Sequence, residues 1–211
     1  MLLDEYLKNP CKMLSIPFWK AKSITVPNKM LIVHDSDFQS KYLDDYCDNI
    51  FFRLYHDMKE INSFEVKGYE ILTAGLKDIT DIVEIINRSY IDMQVNKVQI
   101  ESYTKTPVYT PELWILVKEI SGNRLAGCGI ADYDSEAKEL ILEWIQVLPE
   151  YRGQKIGQLI VNELLRRMHG IADFATVSGK ADNITNPEIL YRKCGFVGND
   201  LWHIMEKKDV W

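Results

Sequence analysis

Apolar positions along the chain follow two regimes. Through residue 66 they come in short bursts, broken by Pro10, Pro17 and Pro27, with many aromatics and aspartates and no long helical period. Met30–His34 and Ile50–His56 read as two short strands, and Asp37–Tyr46 as a loop or short helix between them. From Tyr69 onward the elements alternate more regularly. Tyr69–Thr73 reads as a strand, and Ile79, Ile82, Val83, Ile86 and Tyr90 then recur at helical spacing behind Asp78, a suitable N-cap. Residues 92–111 are polar and end among prolines, which predicts a helix and a loop over a site. Glu112–Ile120 and Leu125–Asp132 read as strands joined by a hairpin turn at Ser121-Gly122-Asn123. A second turn at Asp134-Ser135-Glu136 leads to the strand Glu139–Leu148 and the helix Lys155–His169. A strand near Phe174–Ser178, a helix near Pro187–Cys194 and a final strand pair from Phe196 to Glu206 complete the pattern. An antiparallel meander feeding a strand–helix–strand unit predicts an α+β or mixed α/β fold. Residues 1–67 read as an N-terminal extension packed on a main domain of residues 68–211, because so short a segment holds only a marginal core alone.

Composition narrows the class. The 211 residues are 46 % hydrophobic and 27 % charged, which excludes a disordered or collagen-like chain. Lys plus Arg total 25 against 31 Asp plus Glu, a net charge of -6, and this argues against a nucleic-acid surface. An acidic field attracts amines instead. The four cysteines are scattered without a Cys-x-x-Cys pair, no basic start precedes a long apolar stretch, and no apolar run approaches bilayer length. The expectation is a cytoplasmic protein with reduced thiols and no membrane contact.

The chemistry-bearing segment is residues 143–168, EWIQVLPEYRGQKIGQLIVNELLRRM. A strand ends at Pro149, a turn passes through Arg152-Gly153, and an amphipathic helix begins, with Ile156, Leu159, Ile160, Leu164 and Met168 on its apolar face. Its first turn, with Gln154, Lys155 and Gln158, has no carboxylate to use the free backbone N–H groups. Gly153 and Gly157 remove side chains where a ligand could approach. Such helix starts bind phosphate through N–H donors and the helix dipole, here beside Arg152 and Lys155.

Val147-Leu148-Pro149-Glu150-Tyr151-Arg152-Gly153-Gln154-Lys155-Ile156-Gly157 resembles the acetyl-CoA signature of the GNAT superfamily of acyl-CoA N-acyltransferases. The family pattern is Arg/Gln-x-x-Gly-x-Gly/Ala after a strand ending in Val-x-Pro-x-Tyr/Phe. Arg152 and Gly157 match it, and Lys155 stands where the first glycine usually falls. A second element, from Asn183 to Phe196, resembles Asn-x-x-Ala-x-x-Leu-Tyr-x-x-x-Gly-Phe. Leu190, Tyr191, Gly195 and Phe196 match in register. Asn183 lies one residue too far upstream and Asn186 three residues nearer, so either could make the family's cofactor contact. The resemblance covers roughly residues 68–211. It implies a GNAT-type, mostly antiparallel twisted sheet flanked by helices, with acetyl-CoA as co-substrate and no metal.

The resemblance also implies direct acetyl transfer to an amine. Only about one alkyl amine in two thousand is unprotonated at neutral pH, so the site must accept a proton, hold the reactants together and protonate the leaving thiolate. Glu143 is the candidate base, placed by period-two geometry on the face of Ile145 and Val147, and Glu139, of the same parity, is the second choice. Tyr191 matches the family's general acid. The cofactor-binding set implied is Ile145, Gln146 and Val147 for the pantetheine arm, Arg152, Gly153, Gln154, Lys155, Ile156 and Gly157 for the diphosphate, then Asn183, Asn186 and Tyr191. The acceptor would be a primary amine of a small molecule or peptide. A non-catalytic acyl-CoA-binding module and an O-acyl or longer-chain acyltransferase are the competing classes. Residues 1–67 remain open as lid, dimer surface or scaffold, so a homodimer is one partner expected.

Other features carry less chemistry. His34-Asp35 and His56-Asp57 follow short strands and read as strand-end caps rather than a metal pair. Gly127-Cys128-Gly129 lacks the third glycine of a dinucleotide loop and reads as a closely packed strand. Cys194, at a helix end, reads as packed. Tyr90, Tyr103, Tyr109, Trp114 and Trp144 could wall an acceptor pocket or serve the core equally well.

Overall fold

The computed structural model describes residues 2–61, 63–90 and 93–208, and helices and strands follow one another through these residues. Among the described residues the order is α1 (Leu3–Lys8), α2 (Pro10–Met13), α3 (Phe18–Ala21), β1 (Met30–His34), α4 (Tyr42–Asp45), β2 (Tyr46–His56) and β3 (Tyr69–Thr73). Then come α5 (Ile79–Ser89), α6 (Lys97–Tyr103), β4 (Tyr109–Glu119), β5 (Arg124–Asp134), β6 (Glu139–Val147), α7 (Ile156–Met168), β7 (Phe174–Lys180), α8 (Pro187–Lys193) and β8 (Val197–Lys207). The fold is α+β, as expected, with antiparallel pairing of β1 and β2 to β8 and of β3, β4, β5 and β6 in succession. The expected segment 92–111 supplies α6 and the turn before β4, and its first residue lies outside the described residues.

The chain forms two compact units, residues 57–175 and residues 1–56 together with 176–211. In the first unit β3, β4, β5 and β6 form a meander in that order. Successive strand residues face opposite sides of a sheet. Ile79, Ile82, Ile85 and Ile86 of α5 are buried, and the Tyr90 ring just beyond it meets Trp144 of β6 edge-on at 6.1 Å. The other face takes α7, and the Gly127-Cys128-Gly129 run explains how closely. A Cβ at Gly129 would lie 2.5 Å from Ile160 Cγ2, and one at Gly127 would lie 3.3 Å from Ile160 Cδ1. The two glycines are therefore the seat of the helix, which is the close packing expected of them. Asp78 precedes α5 but does not cap it with its side chain; its carboxylate accepts the Gly75 N–H at 2.8 Å, closing the turn before the helix.

In the second unit the strand order is β1, β8, β2, β7. Arg53, on β2 and only 2 % exposed, donates to Tyr6 Oη at 3.0 Å, Thr176 Oγ1 at 3.3 Å and Ser178 Oγ at 3.2 Å, tying α1, β2 and β7 together. Trp202 Nε1 donates to the Cys11 carbonyl at 2.8 Å, fastening α2 to β8. The expected final strand pair is one eleven-residue strand instead. Gly198-Asn199-Asp200 has the composition of a turn, yet the register passes from Arg53↔Asp200 to Tyr55↔Val197, so the chain absorbs one extra residue as a bulge and runs on.

Candidate active site

The strand–turn–helix of the first unit carries most of the sequence-derived site: Glu143, Ile145, Gln146, Val147, Arg152, Gly153, Gln154, Lys155, Ile156 and Gly157. On β6 the register with β5 runs Gly127↔Val147 to Ile130↔Trp144 and then jumps to Ala131↔Leu142. Glu143 is thus the extra residue of a β-bulge, left without a partner position on β5. Bulges of this kind re-aim a side chain and interrupt pairing. The bulge also corrects one expectation. Glu139 lies opposite Asp134 and falls on the face of Trp144 and Gln146, out of phase with Ile145 and Val147, and it is fully buried whereas Glu143 is half-buried. Simple alternation cannot see this, because one inserted residue reverses the parity of everything before it. Gln146 donates to Tyr90 Oη at 3.2 Å.

After Val147 the chain turns through a short 3-10 segment, Pro149–Tyr151, and reaches Arg152. Gly153 has φ +79° and Lys155 φ +64°, both left-handed. Lys155 therefore adopts the backbone conformation that glycine takes without strain, which fits its standing at the position of the family's glycine. The first bond onto the helix start is Leu159 N–H to the Lys155 carbonyl at 3.1 Å. The N–H groups of Ile156, Gly157 and Gln158 precede it and lack intrahelical acceptors. No acid occupies this first turn, and Lys155 is exposed. Arg152 does not extend freely: its Nη2 donates to the Ser89 carbonyl at 2.8 Å and its Nε to the Val147 carbonyl at 3.3 Å, pinning the turn to β6 and to the end of α5.

A cavity of about 520 Å³ adjoins this turn. Tyr69 Oη donates to Gln154 Oε1 at 2.6 Å, Arg88 pairs with Glu150 at 2.6 Å, and Arg124 pairs with Glu119 at 2.8 Å. The Arg124 hydrogen bond holds the Glu119 carboxyl below the usual carboxylate range, and desolvation raises the Tyr69 and Tyr151 phenols. Sequence reasoning missed the Tyr69–Gln154 and Arg88–Glu150 supports of the loop because their partners lie more than sixty residues apart and no local motif marks them.

The remaining site residues belong to the other unit. Tyr191, on α8, is 7 % exposed, its ring edge-on to Phe196 at 5.8 Å and tilted against Phe52 at 6.1 Å. Asn183 Oδ1 accepts the Thr185 N–H at 2.9 Å and its hydroxyl at 2.7 Å, a local Asx turn. Asn186 is exposed at the start of α8, with φ +48° and no capping bond from its side chain.

The lesser features fall where the residues suggested. His34 Nδ1 accepts the Ser36 N–H at 3.1 Å and Asp57 accepts the Lys59 N–H at 3.1 Å, both turn caps at strand ends. Cys194 is buried, as is Cys128, whose thiol burial pushes up to about 12. Trp114 is core, packed edge-on against Tyr109 at 5.5 Å. Among the described residues no group of three or more His, Cys, Asp or Glu could hold a metal, and no helix is long and apolar enough to cross a membrane.

Residues 110–198 match the family model described as acetyltransferase (GNAT) domain. No curated protein sequence matches the chain. Among solved structures it is similar to a GCN5-related N-acetyltransferase from Sphaerobacter thermophilus, with a TM-score of 0.69 at 16 % identity over 86 % of this chain and 61 % of that one. It is also similar to an acetyltransferase from the GNAT family of Colwellia psychrerythraea, with a TM-score of 0.62 at 15 % identity over 89 % of this chain and 68 % of that one. A third, Ard1 from Thermoplasma volcanium, gives 0.54 at 15 % identity over 68 % and 99 %. At such identities the likeness is one of fold, and the chain spans less than two thirds of the Sphaerobacter protein. Motifs, family match and fold agree: residues 110–198 are similar to the acetyltransferase domain of the GNAT superfamily, and the fold is that of its solved members.

Proposed function

We propose that this protein is an acetyl-CoA-dependent N-acetyltransferase that passes the acetyl group directly to a primary amine of a small molecule or peptide. The observation that carries this reading is the start of α7, where the N–H groups of Ile156, Gly157 and Gln158 stand unclaimed in a first turn without a carboxylate. A diphosphate fits there, beside the exposed Lys155 ammonium and over the strain-free backbone of Gly153. Bound acetyl-CoA would supply the activated acyl group as a thioester.

The chain's own residues do the remaining work. Main-chain groups of Ile145, Gln146 and Val147 are assigned to guide the pantetheine arm. Glu143, set apart by the bulge, accepts the ammonium proton directly or through water, and its half-buried position favours it over the fully buried Glu139. Tyr191 donates its phenolic proton to the departing thiolate, its ring fixed by Phe52 and Phe196. Of the two asparagines, Asn186 is preferred as the cofactor contact, because the Asn183 carbonyl is engaged within its own turn.

Thiol release over a panel of amines, combined with acetyl-CoA calorimetry, tests the assignment. Glu143→Gln and Tyr191→Phe should each lower kcat by roughly 100-fold or more while acetyl-CoA affinity holds. Full activity in either variant would remove that residue's role, and binding without turnover of any amine would leave a non-catalytic module.

A further inference from the structure

β1 is the end strand of its sheet and pairs with β8. Its five residues, Met30-Leu31-Ile32-Val33-His34, include no proline, Asp, Glu, Lys or Arg, and all are half-exposed. Strand edges are ordinarily blunted by charge, proline or a cover, because the outward N–H and C=O groups will pair with another chain.

Which groups point outward follows from the ladder. Lys207 N–H donates to the Lys29 carbonyl at 2.8 Å, so this pair is a hydrogen-bonded one. Bonded pairs alternate along an antiparallel ladder, so Leu31 and Val33 also turn their peptide groups toward β8. Met30, Ile32 and His34 therefore direct theirs away from it. The Met30 N–H is taken by the Pro27 carbonyl at 2.8 Å, which leaves the Met30 carbonyl and both groups of Ile32 and His34 facing out.

We propose that β1 pairs antiparallel with β1 of a second copy of this chain, about a two-fold axis at Ile32. In that register Ile32 meets Ile32 of the other copy and exchanges both hydrogen bonds, while each His34 N–H reaches the opposite Met30 carbonyl. Leu31 meets Val33 in the closer, non-bonded pairs. Lys29 and Asp35 stand three residues to either side of Ile32, so each Lys29 meets Asp35 of the other copy at both ends of the ribbon. Both are exposed, and Asp35 retains a 59 % exposed side chain although it accepts from His203 Nε2 at 3.2 Å. An apolar centre flanked by opposite charges makes the strand complementary to itself, which a two-fold interface requires. This pairing does not depend on the catalytic reading.

Sedimentation velocity on the full chain from low to high micromolar concentration tests it. The wild type should dimerise reversibly, and Lys29→Glu or Asp35→Lys alone should weaken the dimer about tenfold by setting like charges opposite each other. An equimolar mixture of those two variants should regain the wild-type affinity, because opposite charges then face each other again at both ends. Ile32→Pro removes only an outward donor of an edge strand and should give a folded monomer. A wild type that stays monomeric throughout, a mixture no tighter than either variant alone, or a folded Ile32→Pro protein that still dimerises would overturn the pairing. If Ile32→Pro does not fold, the mixture decides.

Discussion

Gly129→Ala isolates the packing that fixes the candidate anion site. The new methyl would stand 2.5 Å from Ile160 Cγ2, 3.1 Å from Ile115 and 3.3 Å from Leu164. Carbon atoms prefer roughly 3.5–4.0 Å, so the first contact is about 1.0–1.5 Å too short. Ile160 cannot swing aside, since a β-branched side chain in a helix has about one usable rotamer and this one is fully buried. The cost therefore falls in the upper part of the overpacking range, about 2–3 kcal/mol. That corresponds to a Tm lower by roughly 4–12 °C for a chain of this size. Urea unfolding should show the midpoint move with little change in slope. Ile160→Leu takes away the offending γ-methyl, so the double variant should recover much of the loss. Because Ile160 lies one turn beyond the amides of Ile156, Gly157 and Gln158, acetyl-CoA affinity should fall in Gly129→Ala and return in the double variant. A single variant within about 0.5 kcal/mol of wild type, or a double variant as unstable as the single, would refute α7 being seated directly on the glycines.

Two further perturbations probe the same helix. Lys155→Gly relieves a left-handed residue, a gain of about 1–2 kcal/mol. The added freedom of the unfolded chain offsets about 0.4–1 kcal/mol of it. Calorimetric unfolding should thus show equal or higher stability, and a clear loss would contradict the φ of +64°. Glu163, 14 % exposed, accepts from Arg166 Nε at 2.8 Å and Arg167 Nε at 2.8 Å, while Arg167 also bonds Thr73 Oγ1 at 3.0 Å and so ties α7 to β3. Burial works to raise the Glu163 carboxyl, but the two arginines outweigh it and leave its pKa below the ordinary range. Its stabilisation is therefore complete above the unfolded carboxylate value, about 4.3, and is lost as pH falls through the lower folded value. Denaturant titrations should find Glu163→Gln less stable at pH 7 and equal to wild type near the acid end; a difference that persists or grows in acid would contradict the ion pairs.

Elements with strong local signals were legible. Met30–His34 and Tyr69–Thr73 are strands with the expected ends, and the helices behind Asp78 and Lys155 begin within a residue of expectation. Errors cluster where one residue is inserted into a ladder. Gly198-Asn199 imitates a hairpin turn yet is a bulge, and Glu143 reverses the parity that had coupled Glu139 to Ile145. A bulge is settled by register with a distant partner strand, which periodicity within one strand does not encode. The pairing of β1 and β2 with β8 was likewise invisible, since it joins residues near both ends of the chain. The helix start at Lys155 could be read because glycines, missing acids and helical period all sit within a dozen residues. The Arg152 bond to the Ser89 carbonyl and the Tyr69 bond to Gln154 could not, since each spans more than sixty residues.

Titration of acetyl-CoA into wild type, Gly157→Asp and Gly157→Asn by calorimetry bears most directly on the diphosphate grip. Asp and Asn are both better helix formers than glycine, and an acid in the first turn also favours the helix, so both variants should remain folded. Gly157→Asp should bind at least about tenfold more weakly than Gly157→Asn, a difference of about 1.4 kcal/mol from charge alone. Equal affinities for the two variants would mean that no phosphate rests on the amides that open α7.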